Sequence, residues 1–143
     1  MQKLLPISKD LNKYYQKYIS NAWFKHWKET RYSNKLRQIK SSPEPWKSST
    51  QISRREEILI TRLRMGHTKL THTHLISHLF PPDCPKCHCE HVTVDHLFTC
   101  PSLTHIRTIH GLPHNRPQAL KNSIEYISSI ISLLQEANLV HLI

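Results

Sequence analysis

The chain has 143 residues, with 20 Lys and Arg against 10 Asp and Glu for a formal charge of +10, and 38% of its residues are hydrophobic. No apolar run approaches the roughly 18 residues that a membrane span requires, and the opening MQKLLPISKD lacks the apolar stretch of a secretory signal, so an intracellular chain, nuclear or cytoplasmic, is expected. Two glycines leave no glycine-rich phosphate loop of the GxGxxG or GxxxxGK kind.

The first predicted element is a helix over residues 9–31. Ser8 is a good N-cap, and Asp10 puts negative charge in the first turn, where it complements the helix dipole. Leu11, Tyr14, Tyr15, Tyr18, Ile19, Ala22, Trp23 and Trp27 recur at helical steps and form an aromatic stripe. A stripe this regular is expected to be a packing face, with base stacking as the alternative. Residues 32–52 hold Pro43 and Pro45 beside Trp46, among Ser41, Ser42, Ser48, Ser49 and Thr50, and read as a linker or irregular wrap, not a helix. Lys35, Arg37 and Lys40 in that stretch are either a solvated charge run, phosphate contacts or a nuclear-import signal.

A second helix opens with the capping box Ser53-Arg54-Arg55-Glu56, continues through Ile58, Leu59, Arg62, Leu63 and Met65, and stops at Gly66. Arg54, Arg55, Arg62 and Arg64 give it a basic edge. A shorter helix over about 71–79 carries Leu75, Ile76 and Leu79, with Pro81 and Pro82 beyond it. Further on, a short helix over about 102–109 is ended by Gly111 and Pro113. A last helix over roughly 117–137 follows, with Leu120, Ile124, Ile127, Ile131 and Leu134 at steps of four and three as its core face.

Between these lies C-x2-C-x8-H-x3-C, formed by Cys84, Cys87, His96 and Cys100. A CxxC turn lets two thiolates converge on one ion, and His96 and Cys100 share a helix face at i and i+4, behind Thr93 as N-cap. Three thiolates and one imidazole make a closed structural zinc set with no position for a reactive water. Disulfides are disfavoured inside a cell. A redox CxxC would open a helix after a strand, and cysteines can also serve as small core hydrophobes. Cys89, His88 and His91 are spare donors that could substitute, although Cys87-x-Cys89 is a cramped pair for one tetrahedral ion. His67, His72, His74, His78, His105, His110 and His114 read as solvated or capping groups.

Charge and metal chemistry separate along the chain. Residues 1–69 hold 16 Lys and Arg and 5 Asp and Glu, a net of +11, whereas residues 70–143 hold 4 and 5, a net of −1. Within the cysteine cluster Lys86 is the one cation, facing Glu90 and Asp95. Such a module lacks the cations that phosphate binding needs, so it reads as a clamp, with the basic first half as the nucleic-acid contact.

The run SRREEILITRLRMGHTKLTH, from Ser53 to His72, followed by CPKCHCEHVTVDHLFTCP, resembles the C-terminal region of non-LTR retrotransposon polyproteins of the jockey and I type, downstream of reverse transcriptase and RNase H. The tryptophan-bearing first helix, the stretch NKLRQIK and Pro45-Trp46 are similar to the family's connector after RNase H. The family's metal ligands map onto Cys84, Cys87, His96 and Cys100, with three residues between the last two where relatives often have four. The resemblance implies a zinc-knuckle-like tail that assists nucleic-acid handling in target-primed reverse transcription. It further implies that the chain is a truncated copy or fragment starting at an internal methionine. Its ten acids form no polymerase or RNase H carboxylate cluster in sequence, so no catalytic residues are expected.

The expectation is therefore a mostly α assembly with few or no strands. Residues 1–52 form a basic aromatic helix and connector, 53–82 a basic helical pair, 83–101 a CCHC zinc-knuckle-like module and 102–143 the closing helices. One zinc is the expected cofactor. RNA or DNA, and the parent polymerase and RNase H domains, are the expected partners, with no membrane and no small-molecule substrate. Arg54, Arg55, Arg62, Arg64, Lys35, Arg37 and Lys40 are the expected nucleic-acid contacts.

Overall fold

The computed structural model describes residues 7–30, 34–45 and 53–143, with side chains from residue 10 onward. Of the expected linker over 32–52, residues 32, 33 and 46–52, including Trp46, Ser48, Ser49 and Thr50, lie outside the described residues. The chain divides into two compact units, Met1–Pro45 and Trp46–Ile143.

In the first unit, α1 runs Ile7–Glu29, so Ser8 sits inside its first turn rather than capping it. The aromatic stripe does not pack as expected. Tyr14, Tyr18 and Trp23 are exposed, and Trp27 and Ile39 are the buried apolar side chains among the described residues of this unit. A second correction concerns the proline- and serine-rich stretch, which contains a short helix, α2 (Lys35–Ile39). Asn34 caps it, its Oδ1 accepting from the N–H groups of Leu36 and Arg37 at 3.0 and 3.1 Å. The Trp27 indole N–H donates to the Lys40 carbonyl at 3.3 Å and Arg37 Nε donates to the Trp27 carbonyl at 3.1 Å, which folds α2 back on α1.

The described residues of the second unit are mostly helical. Among the described residues there is no strand, and the single β feature is an isolated antiparallel bridge between Asp83 and His91. Helix α3 (Arg54–Met65) has the expected capping box, with Ser53 and Glu56 satisfying each other's backbone N–H, and Gly66 closes it at φ 75° in the left-handed region that favours glycine. Helix α4 (Lys69–Ser77) starts two residues before the expected position because Thr68 and Thr71 build a second capping box. It ends in a left-handed cap at His78, ahead of the prolines.

After the metal cluster come α5 (Val94–Thr99), a 3₁₀ turn at Pro101–Leu103 and α6 (Thr104–Ile109). The expected last helix is two helices, α7 (Arg116–Ala119) and α8 (Ile124–Glu136). Asn115 caps the first, and Lys121, Asn122 and Ser123 break the path, since Asn and Ser side chains favour caps over helix interiors. Leu120, Ile127 and Leu134 of the expected core face are buried, Ile131 is half-buried and Ile124 is 67% exposed, while Ile130 and Leu133 complete the buried face of α8. A 3₁₀ turn at Val140–Leu142 ends the chain.

The buried apolar side chains of this unit include Leu59, Ile60 and Leu63 of α3, Val94, Leu97 and Phe98 of α5 and the apolar face of α8. Helix α5 packs on α7, and α6 and α7 pack on α8. Residues 83–101 lie in the same compact unit as their flanking helices.

Candidate metal centre

The four expected ligands converge. Cys84 Sγ, Cys87 Sγ, a His96 ring nitrogen and Cys100 Sγ all lie within 4.8 Å of one another. Helix α5 supplies two of them. Thr93 Oγ1 accepts from the His96 backbone N–H at 2.9 Å, starting the helix, and the Cys100 N–H donates to the His96 carbonyl at 2.6 Å, which stacks imidazole and thiol one turn apart. The opposing loop supplies the other two. The Cys84 N–H donates to the Glu90 carbonyl at 2.8 Å, the His88 N–H to the Cys84 carbonyl at 3.0 Å and the Val92 N–H to the Pro82 carbonyl at 2.9 Å, closing a tight hairpin around the CxxC. His88 takes the sharpest corner, at φ 56°.

The donor chemistry fits a tetrahedral ion. Cys84 and Cys100 sulfurs stand 3.8 Å apart, which matches the edge of about 3.8 Å that zinc–sulfur bonds of about 2.3 Å generate. It is far beyond a disulfide bond. Cys84, His96 and Cys100 are buried and Cys87 is half-buried, so the cluster opens toward solvent on one side.

Titration behaviour is asymmetric. The backbone N–H of Cys89, which donates to Cys87 Sγ, pulls that thiol down to about 6 against the opposing cost of desolvation, with help from hydrogen bonds to His96, Cys84 and Cys100. Burial pushes Cys100 up to about 11, reinforced by Cys84 and opposed by the Ser102 backbone. Three thiolates cannot share so small a buried volume unaided, and a divalent cation is the group that lets all three ionise together.

Second contacts orient the set. His96 Nδ1 bonds Glu90 Oε2 at 3.0 Å, leaving Nε2, 3.3 Å from Cys87 Sγ, among the cysteine sulfurs as the nitrogen that would hold a metal. With a metal bound at Nε2, this Glu90 contact would fix the tautomer of His96 and raise its basicity as a ligand. Sequence alone does not single out Glu90, because a position six residues before His96 carries no helical signal. Arg107, fully buried, donates from Nη1 to the Cys100 carbonyl at 2.8 Å and from Nη2 to Thr104 Oγ1 at 2.8 Å. Arg116, equally buried, donates from Nε to Asp95 Oδ1 at 2.6 Å and from Nη1 to the Arg64 carbonyl at 3.4 Å.

The spare donors stand apart. Cys89 is exposed and its thiol donates to the Cys87 carbonyl at 3.0 Å, while the negative charge on Cys87 is the main influence raising its pKa. His91 Nδ1 bonds Asp83 Oδ1 at 2.9 Å on the surface, and His88 is exposed.

The expected phosphate contacts divide. Arg55 and Arg62 are exposed on α3, Arg62 with one Nη1 bond of 2.9 Å to the Ile143 carbonyl oxygen. Arg54 is exposed and pairs with Glu57 at 2.9 Å. Arg64 is a correction. It is buried, and its Nε and Nη2 donate to the Leu120 and Lys121 carbonyls at 3.0 and 3.5 Å, so its guanidinium serves the fold rather than a phosphate. Burial lowers it to about 10, still protonated at neutral pH. In the first unit Lys35, Arg37 and Lys40 are half-buried around α2.

No helix among the described residues is long and apolar enough to cross a membrane. No family model, no curated protein and no solved structure matches this chain.

Proposed function

We propose that the chain is a zinc-stapled, non-catalytic nucleic-acid-binding segment, of the kind that ends the polyproteins of jockey- and I-type non-LTR retrotransposons. The observation that carries this reading is a closed set of four metal ligands in the same packed unit as a helix whose outer edge holds Arg54, Arg55 and Arg62. Zinc suits a Cys3His set held at tetrahedral spacing, and four protein donors leave no coordination position for a hydrolytic water. With zinc and three thiolates the centre carries a net of about −1, and Glu90 and Asp95 outnumber Lys86 beside it. Phosphate contact therefore falls to α3 and to the lysine-rich first unit.

Metal analysis of the purified chain should find one equivalent of zinc, lost in Cys84→Ser and Cys100→Ser and kept in Cys89→Ser. Loss in Cys89→Ser with retention in Cys100→Ser overturns the ligand set. Binding to mixed RNA and DNA should weaken steeply with salt, with a logarithmic slope of about −0.9 per phosphate neutralised on duplex DNA. Absent or salt-insensitive binding overturns the nucleic-acid role.

One observation favours a second reading, in which the segment docks on the polymerase and RNase H domains of its parent polyprotein and binds nothing alone. Leu75, Ile76, Leu79 and Phe80 form an exposed apolar run at the end of α4, with Ile76 at 85% and Phe80 at 93% exposure. Self-association of the isolated chain that disappears in an Ile76→Glu, Phe80→Glu double variant supports it. A monomer unaffected by those changes counts against it.

A further inference from the structure

A cavity of about 370 Å³ lies between α3 and the closing 3₁₀ turn. Its apolar floor is Leu59, Val140 and Ile143, and its rim carries Arg55, Arg62 and Lys69. The volume is at the small end of ligand sites, which run from about 300 Å³, so it suits one nucleotide rather than a folded partner. We propose that this cavity holds the phosphate of one nucleotide of a bound single strand, with the sugar or base resting on the apolar floor. The inference rests on the nucleic-acid reading above and names where that contact is made.

Three observations converge on it. Arg55 and Lys69 are exposed and form no ion pair with any described residue, so their charges are available at the rim. Arg62 spends one Nη1 hydrogen on Ile143 and keeps its other donors. Arg55, Arg62 and Lys69 bring three positive charges to an apolar floor, where low local dielectric strengthens attraction to an anion. Glu56 lines a second cavity of about 340 Å³ that shares Arg55, Leu59 and Val140. No acidic side chain lines the first cavity. His141 also lines the cavity and offers an imidazole against which a base can rest, and the strand should be held chiefly by its phosphate, with little preference for base.

The test uses the full zinc-loaded chain, a fluorescein-labelled single-stranded RNA of mixed sequence, and adenosine monophosphate in a parallel amide NMR titration. An Arg55→Gln, Lys69→Gln double variant changes two exposed side chains, and its melting temperature and zinc content serve as the folding control. The expected result is RNA affinity about tenfold weaker and a salt slope shallower by about two, one for each cation withdrawn from the phosphate backbone. The amides of Lys69 and Val140 should shift with RNA and far less with the mononucleotide. RNA binding by the double variant equal to the parent overturns the cavity and leaves the nucleic-acid reading standing. Amide shifts with the mononucleotide in a chain that binds no RNA overturn the strand as occupant, together with that reading. Silence from both ligands overturns both.

Discussion

At the scale of single residues the metal centre depends on groups that are not ligands. Glu90 holds the His96 ring through Nδ1, and loss of such a partner typically weakens metal binding 10- to 100-fold. Glu90→Gln should therefore raise the zinc dissociation constant by about that factor in competition with a chromophoric chelator, leaving stoichiometry at one. Protons compete with the metal for thiolate, so the melting-temperature gain on adding zinc should be large at pH 8 and shrink toward pH 5.5. The sign follows from the ligands. Cys87, held near 6, stays ionised over most of that range and yields last as pH falls, while Cys100, raised to about 11, gives up a proton whenever metal enters. Alkylation after chelation should likewise modify Cys87 first and Cys100 last at pH 7, read by peptide mass mapping.

At the scale of elements, what is legible in the sequence is what local chemistry decides. Ser53 with Glu56, Thr93 before His96, and Gly66 after Met65 are signals confined to one turn, and each does in the structure what its residue type predicts. The cysteine spacing belongs with them, because a CxxC and an i,i+4 pair leave little freedom in where the donors point. Contacts distant in sequence are not legible. Asn122 and Ser123 mark a local break after residue 120, but nothing local announces that the carbonyl of Leu120 is taken by Arg64, 56 residues earlier. The same blindness puts Arg64 on a phosphate-binding edge and leaves Arg107 and Arg116 unremarked, because isolated charges are read as surface by default. Asn34 escapes notice as a cap because prolines and serines nearby dominate the reading of its segment.

These element-scale contacts have measurable sizes. Ser53→Ala removes the side-chain half of the capping box and should cost about 1 kcal/mol in urea unfolding. Arg64→Met should cost more, on the order of 3 kcal/mol, because two carbonyls at the end of α7 lose their donors while the methylene packing is kept. If the Arg64→Met variant proves as stable as the parent, the break between α7 and α8 is set by Asn122 and Ser123 alone.

At the scale of the molecule, the second unit is a hairpin bearing a candidate metal site and a helical assembly fastened by buried arginines. Arg116 links α7 to Asp95 beside the ligand His96 and to the backbone of α3, and Arg107 holds the carbonyl of the ligand Cys100. Removing the metal should therefore loosen more than the loop around it. Chelation is expected to lower the melting temperature of the whole unit and to reduce hydrogen-exchange protection in α5 and α7. Protection lost only between Cys84 and Val92 would show that the helical assembly stands by itself.

The spacing of these fastenings also bears on the order in which the chain assembles. Cys84 and Cys100 are separated by 16 positions, whereas Arg64 reaches Leu120 across 56 and Arg116 reaches Arg64 across 52. Closing a short loop loses less entropy than closing a long one. The metal is thus placed to capture its ligands early, and α5, once fixed, offers Val94, Leu97 and Phe98 as a ready surface for the more distant α3 and α8. Zinc should then act chiefly on the refolding limb of a chevron plot, accelerating folding more than it slows unfolding.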